Sequence, residues 1–433
     1  MSQQRYTWIK GSLNAHAQII SHGMRHTAAG VFMKIVLGID LGASRVRYLA
    51  ADSETGEIIQ RRDVERGPFY KQSNTPVGHL VVLDSYRSVL PARERLHAYL
   101  DEGLSDFLAE KKIAHAGVTG IGISLPGRIV ETGDKGDTLF MGANTPNRFA
   151  ERLDDGRTGI NATKSLRKRF PHIRITCDND CKAVGRAQSM AYGAMGINPN
   201  ATLYVTISTG IGGGGAGDEV DEDGHIPVAN VHPEVSLKCG CGALNCIEAL
   251  ASGQGMAKLA LRIMELYWED KKTFREFEAY EKLGGRLPED RDLGAMVEKT
   301  SLQEEFNTGS LKSEDLFSAM KKGDRYARYV LDMTAKMTAC AFTGLAQVHG
   351  LERIGVGGGV GINQPQYIKL IQKHAKAMLA ENKMLPKGLI VETSPLGRFA
   401  GDYGALTLAM PPRHTKKWVK TMTKKTSKTK KRQ

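Results

Sequence analysis

Ile35-Val36-Leu37-Gly38-Ile39-Asp40-Leu41-Gly42-Ala43-Ser44 opens the patterned part of the chain: an apolar run ends in a carboxylate and a glycine turn. An apolar run this short, bounded by a turn, reads as a buried strand. Val46-Arg47-Tyr48-Leu49-Ala50 resumes as a second strand, Asp52 to Gly56 turns again, and Glu57-Ile58-Ile59 starts a third. This is a β-meander. A helical pattern follows over 92–111, and then Gly120-Ile121-Gly122-Ile123-Ser124-Leu125 reads as a strand ending in a Pro-Gly loop. The layout returns in the second half. Ala201–Ser208 is a strand, Thr209–Gly217 a glycine-rich turn and the start of another, and Arg353–Gly359 a strand ending in three glycines, with helices over 247–266 and 326–349. Two similar β-rich units, each with helices, predict a duplicated α/β architecture of two domains around a central cleft.

At 433 residues the chain fits two domains. No stretch approaches the ~20 apolar residues of a membrane span. The net charge of +13 is localised. Residues 1–34 carry four Lys/Arg and residues 411–433 carry ten, with no acid in either segment, and the remainder holds 46 basic and 47 acidic residues. The basic surplus therefore belongs to two tails, read as disordered extensions over 1–33 and 413–433. A nucleic-acid partner is not expected from a neutral body; the C-terminal lysines keep only a small opening for one. Residues 267–325 are charged, contain Gly284-Gly285 and Pro288, and read as a helical surface insertion without chemistry.

Cys239-Gly-Cys241-Gly-Ala-Leu-Asn-Cys246-Ile-Glu248 places three thiols within one short turn. That ligand type and spacing suits a tetrahedral Zn²⁺ site with sulfurs at roughly 2.3 Å, given a fourth ligand. His225 and His232 both lie just upstream. The competing reading is free thiols or a disulfide, and nothing else marks a secreted chain. Asp40-Leu-Gly42-Ala43-Ser44, Thr209-Gly210-Ile-Gly212 and Gly357-Gly358-Gly359 are three glycine turns at strand ends. Each alone is a plain turn; three together favour a bound nucleotide, although none has Walker A spacing. Asp178-Asn179-Asp180 follows another apolar stretch. Asp180 is either a helix cap or a base accepting a proton from a substrate hydroxyl. Cys177, Cys181 and Cys340 read as buried core thiols.

These motifs, in this order and together with Gly224-His225 and Ala249-Leu-Ala-Ser-Gly253, resemble the ROK family of sugar kinases and sugar-responsive repressors over residues 34–410. The resemblance implies an actin-like, ribonuclease H-like ATPase fold. A small domain would span 34–150 and a large one 151–397, with a C-terminal helix over 398–412 returning to the small domain. It implies ATP and Mg²⁺ at Asp40, Gly42, Ala43, Ser44, Thr209, Gly210 and Gly212, with Gly357, Gly358 and Gly359 bordering the adenosine. Asp180 would be the general base. Asn147, Asn179, Glu222, His225 and Glu248 would bind the sugar. His225, Cys239, Cys241 and Cys246 would hold a structural zinc.

The implied reaction is phosphorylation of a hexose, glucose first, in the cytoplasm, by a homodimer. An N-acetylhexosamine or fructose is the alternative acceptor, and polyphosphate the alternative donor. A sugar-responsive regulator needs a DNA-binding domain that 34 residues before the first strand do not supply. A catalytically inactive sugar sensor is the remaining reading. The sequence departs from the family at Ala43-Ser44, in the gap from His225 to Cys239, and at Cys181-Lys182.

Overall fold

The computed structural model describes residues 33–42, 45–66, 81–84, 96–132, 137–141, 151–152, 158–215, 223–229, 231–381 and 388–430. The first sheet is built from β1 (Ile35–Leu41), β2 (Arg45–Asp52), β3 (Ile58–Arg66), β4 (Val81–Asp84) and β5 (Val118–Leu125). A small separate sheet follows: β6 (Arg128–Thr132), β7 (Asp137–Met141), β8 (Glu151–Arg152) and β9 (Thr158–Asn161). β10 (Arg174–Asn179) returns to the first sheet, whose order is β10-β5-β1-β2-β3-β4. The second main sheet is β11 (Thr202–Ile207), β12 (Ile211–Gly215), β13 (Arg353–Gly357) and β14 (Ile390–Thr393), in the order β12-β11-β13-β14.

The two main sheets repeat one plan. β1 pairs antiparallel with β2 and parallel with β5, which pairs parallel with β10. β11 pairs antiparallel with β12 and parallel with β13, which pairs parallel with β14. The expected duplicated α/β architecture is present. Each sheet's last strand sends a helix to the other sheet. Asp180–Ala194 leaves β10 and packs on β11 and β12, while Ala400–Leu408 follows β14 and packs on β1 and β5. The two helices cross at Gly404, where a Cβ would lie 2.8 Å from Val184 Cγ2.

Glycine makes this closeness possible. A Cβ on Gly122 would sit 2.0 Å from the Ala405 carbonyl oxygen, and one on Gly214 would sit 2.4 Å from the Cys181 carbonyl oxygen. Gly212–Gly215 therefore lie inside β12, where they admit the helix that starts at Asp180. Part of the glycine run read as a loop is a strand face pressed by a helix.

Three further expectations need correction. The tail from 413 is not disordered throughout, because Thr415–Lys430 is a helix. Average composition hid its apolar face: Trp418, Val419 and Met422 are all buried, and the Trp418 indole N–H donates to the Ser53 carbonyl at 3.0 Å. Val419 and Met422 join Val184, Ala187, Ala191 and Tyr403 in one core cluster. Residues 267–325 are helical but not a mere surface insertion, since Phe274, Phe277, Leu293, Val297, Leu316 and Phe317 share the core of the second sheet with Leu203, Val205, Ile354 and Val356. Cys340 is exposed, on the outer stripe of the Arg325–His349 helix. Among the described residues, no helix is long and apolar enough to cross a membrane.

Candidate functional site

The chemistry gathers at the carboxyl ends of the parallel strands, where open α/β sheets leave a crevice for ligands. Asp40 lies near the end of β1 and is 5% exposed. Its Oδ1 accepts from the Ser124 hydroxyl at 3.0 Å, and its Oδ2 accepts from Arg47 Nη1. Gly42 follows β1, while Ala43, Ser44, Asn147 and Glu222 lie outside the described residues.

Asp180 begins its helix directly after β10, but it is not the cap. Asn179 is: its Oδ1 accepts from the amides of Cys181 at 2.9 Å and Lys182 at 3.1 Å. The Asn179 Nδ2 donates one hydrogen to the Gly127 carbonyl at 2.9 Å. The Cys181 amide also donates to Asp180 Oδ1 at 2.9 Å, so the two side chains share one amide and Asn179 alone takes the next.

The second glycine turn links this helix to the cysteine loop. A Cβ on Gly212 would lie 2.7 Å from Cys181 Sγ, one residue past Asp180, and a Cβ on Gly210 would lie 2.5 Å from Glu248 Oε2. Glu248 Oε2 also accepts from the Ile211 amide at 3.1 Å. Cys181, the residue after Asp180, and Glu248 therefore flank one short segment, Thr209–Gly212. The third glycine run, Gly357–Gly359, ends β13 and opens the short helix Gly358–Asn363. Gly358 has φ +78° and Gly357 abuts the Tyr204 hydroxyl, whereas a Cβ on Gly359 would meet nothing within 4 Å. Of these three, Gly359 alone opens onto unfilled space.

The cysteine loop brings four ligand atoms together. One donor atom each from His225, Cys239, Cys241 and Cys246 lies within 4.8 Å of all the others. Cys239 Sγ is 3.4 Å from His225 Nδ1, and Cys241 Sγ is 3.6 Å from Cys246 Sγ. His232 is engaged elsewhere. Its Nδ1 accepts from the Glu234 amide at 3.3 Å, and its ring stands edge-on to Phe277 and Tyr280. Three thiols and one imidazole on a compact loop have the donor set of a closed Zn²⁺ site. Glu248 Oε1 approaches Cys239 Sγ to 3.7 Å, which ties this loop to the Thr209–Gly212 turn.

The sequence reading missed the ion-pair network behind Asp40. Arg47 also faces Asp402, and Arg61 bridges Asp402 and Asp63. No short motif marks it, because Arg47 and Asp402 are far apart in the chain.

Comparison with known proteins agrees with this arrangement. The model of the ROK family matches residues 85–411. A glucokinase of Halalkalibacterium halodurans is 26% identical over 381 residues, covering 85% of this chain and 92% of the relative. A kanosamine kinase of Amycolatopsis mediterranei is 24% identical, covering 58% of this chain and 68% of the relative. The crystal structure of a ROK family glucokinase from Streptomyces griseus in complex with glucose and AMPPNP superposes with a TM-score of 0.54 at 20% identity, covering 87% of this chain and 99% of that one. The family match spans most of the chain, and the fold and the order of the motifs concur with it: this protein belongs to the ROK family.

Proposed function

We propose that this protein is an ATP-dependent sugar kinase that phosphorylates a hexose, glucose first among the acceptors. What supports the reading is the placement of Asp40 near the end of β1, of Asp180 directly after β10 and of Glu248 against the Gly210-Ile211 turn in two duplicated sheets. Phosphoryl transfer needs positioning and charge stabilisation more than covalent chemistry, and this site offers both. Asp180 accepts the proton of the attacking sugar hydroxyl. Glu248, His225, Asn179, Asn147 and Glu222 bind the sugar, whose hydroxyls suit carboxylates and amides. Asp40, with Gly42, Ala43, Ser44, Thr209, Gly210 and Gly212, holds the phosphate end, and Gly359 leaves room for the adenosine. Mg²⁺ bound with ATP would supply charge neutralisation at the phosphate end. His225, Cys239, Cys241 and Cys246 would hold a structural Zn²⁺, which would brace the sugar-binding loop and take no part in the transfer. Thiols kept for a metal fit a reducing cytoplasm.

Relatives of near-equal identity carry the names glucokinase and kanosamine kinase, so amino sugars are the second acceptor class. The test is ADP release across hexoses, amino sugars and N-acetylhexosamines, with Asp180→Asn as control. Sugar-dependent turnover that the variant loses supports the reading. Full activity of Asp180→Asn overturns the assignment of the base.

A further inference from the structure

The first sheet carries a polar row across four strands. Ser124 on β5 is the register partner of Asp40 on β1, Asp40 of Arg47 on β2, and Arg47 of Asp63 on β3. Register partners point to one face, so these side chains stand side by side. The helix Ala400–Leu408 lies over that face, and a Cβ on Gly401 would come within 2.5 Å of Asp40 Oδ2. The next residue, Asp402, is fully buried. Its Oδ2 accepts from Arg61 Nη1, and its Oδ1 lies 3.9 Å from Arg47 Nε. Neither that oxygen nor that nitrogen has a hydrogen-bond partner. Arg61 also donates to Asp63, and Arg45 lies 3.9 Å from Asp63. Three carboxylates thus face three guanidinium groups inside the protein.

Stability alone does not call for this arrangement. A buried ion pair often contributes no more than apolar side chains of the same volume, whereas a buried charge with an unused lone pair carries a cost. The one group in the row that the proposed reaction uses is the Asp40 carboxylate, and Arg47 donates to it. We propose that Asp402 is a positioning residue: through Arg47 it orients Asp40 for the Mg²⁺–ATP end of the site. The inference rests on the kinase reading above. It also gives the helix Ala400–Leu408 a task. That helix follows β14 of the second sheet and lies on the first, so Asp402 ties the orientation of Asp40 to the junction of the two halves.

The experiment uses the full chain and four proteins: wild type, Asp402→Asn, Arg47→Met and the double variant. Calorimetry gives Kd for Mg²⁺ with a non-hydrolysable ATP analogue, and steady-state kinetics gives KM for ATP and for sugar separately. The expected result is a nucleotide Kd about tenfold weaker in Asp402→Asn, with KM for sugar within about twofold of wild type. The double variant should match Arg47→Met alone, because effects through a shared partner do not add. Arg47→Lys, which keeps the charge but loses the planar fork, should show the same nucleotide-selective loss without emptying the buried site. An unchanged nucleotide Kd in Asp402→Asn and Arg47→Lys overturns the inference and leaves the kinase reading standing. So do losses that multiply in the double variant, or that fall equally on sugar and nucleotide. A wild-type protein that binds no Mg²⁺–nucleotide overturns the kinase reading and the inference together.

Discussion

Replacing Gly214 by Ala separates glycines that serve the fold from glycines that serve a ligand. A Cβ at 214 would lie 2.4 Å from the Cys181 carbonyl oxygen, 2.5 Å from its carbon and 2.6 Å from the Lys182 nitrogen. All three are backbone atoms in the first turn of the helix that begins at Asp180, so no side chain can swing aside. Ordinary van der Waals contact needs roughly 1 Å more room, and β12 or the helix must move by about that much. Overpacking of this kind costs about 1–3 kcal/mol. A 1 Å displacement of a catalytic group costs on the order of a hundredfold in rate. Gly359→Ala is the contrast, because a Cβ there meets nothing within 4 Å. Its fold should be unchanged, while KM for ATP rises with KM for sugar held. The assay is steady-state kinetics beside thermal unfolding for both variants. If Gly214→Ala keeps the wild-type Tm and a kcat within about threefold, the close packing of β12 on the Asp180 helix is not what positions the base. If Gly359→Ala leaves KM for ATP unchanged, the adenosine does not lie there.

Other expectations test separate parts of the account. Protein purified without added zinc should hold about one ion per chain; His225→Ala and Cys246→Ser should lose it and His232→Ala should keep it, by elemental analysis, and zinc retained in His225→Ala would contradict the ligand set. Trp418→Ala should cost about 3–5 kcal/mol in denaturant unfolding, since the side chain is fully buried, and an unchanged midpoint would mean that the helix Thr415–Lys430 does not dock. Asp324 caps the Arg325–His349 helix, accepting from the Ala327 amide at 2.9 Å and the Ser301 amide at 2.7 Å. Burial alone would raise this carboxyl, but those amides and the hydroxyls of Thr300 and Ser301 outweigh it and hold it below its ordinary 3.8. A depressed pKa gives stability that is present above pH 4 and lost as pH falls through the folded value. Asp324→Ala should therefore cost about 1–2 kcal/mol at pH 7 and progressively less in acid below pH 4; a difference independent of pH would contradict the cap.

Much of this structure is legible in the residues themselves. The runs Ile35–Leu41 and Arg353–Gly357 announce buried strands, and the recurrence of strand, turn and strand announces the duplication. The spacing of Cys239, Cys241 and Cys246 announces a metal loop. The residues leave open which histidine stands beside the three thiols, because His225 and His232 have the same chemistry; the fold brings His225 to them and packs His232 against Phe277 and Tyr280. Asn179 and Asp180 are equally good caps by composition; the Cys181 amide donates to both side chains, and the Lys182 amide, which donates to Asn179, selects it as the cap. The glycines of β12 look like a phosphate loop, since close approach of a helix and of a ligand make the same demand on a side chain. Arg47 and Asp402 meet because the helix after β14 lies on the first sheet. In the basic C-terminal segment, three apolar residues on one helix face outweighed the average that suggested disorder.

The central claim is transfer of a phosphoryl group from ATP to a sugar hydroxyl. The most direct test is phosphorus NMR of full-length protein mixed with ATP, Mg²⁺ and glucose, repeated with an amino sugar. The account predicts a phosphomonoester resonance coupled to sugar protons, growing in step with ADP and absent with Asp180→Asn. Inorganic phosphate alone, or no change with any acceptor, would contradict it.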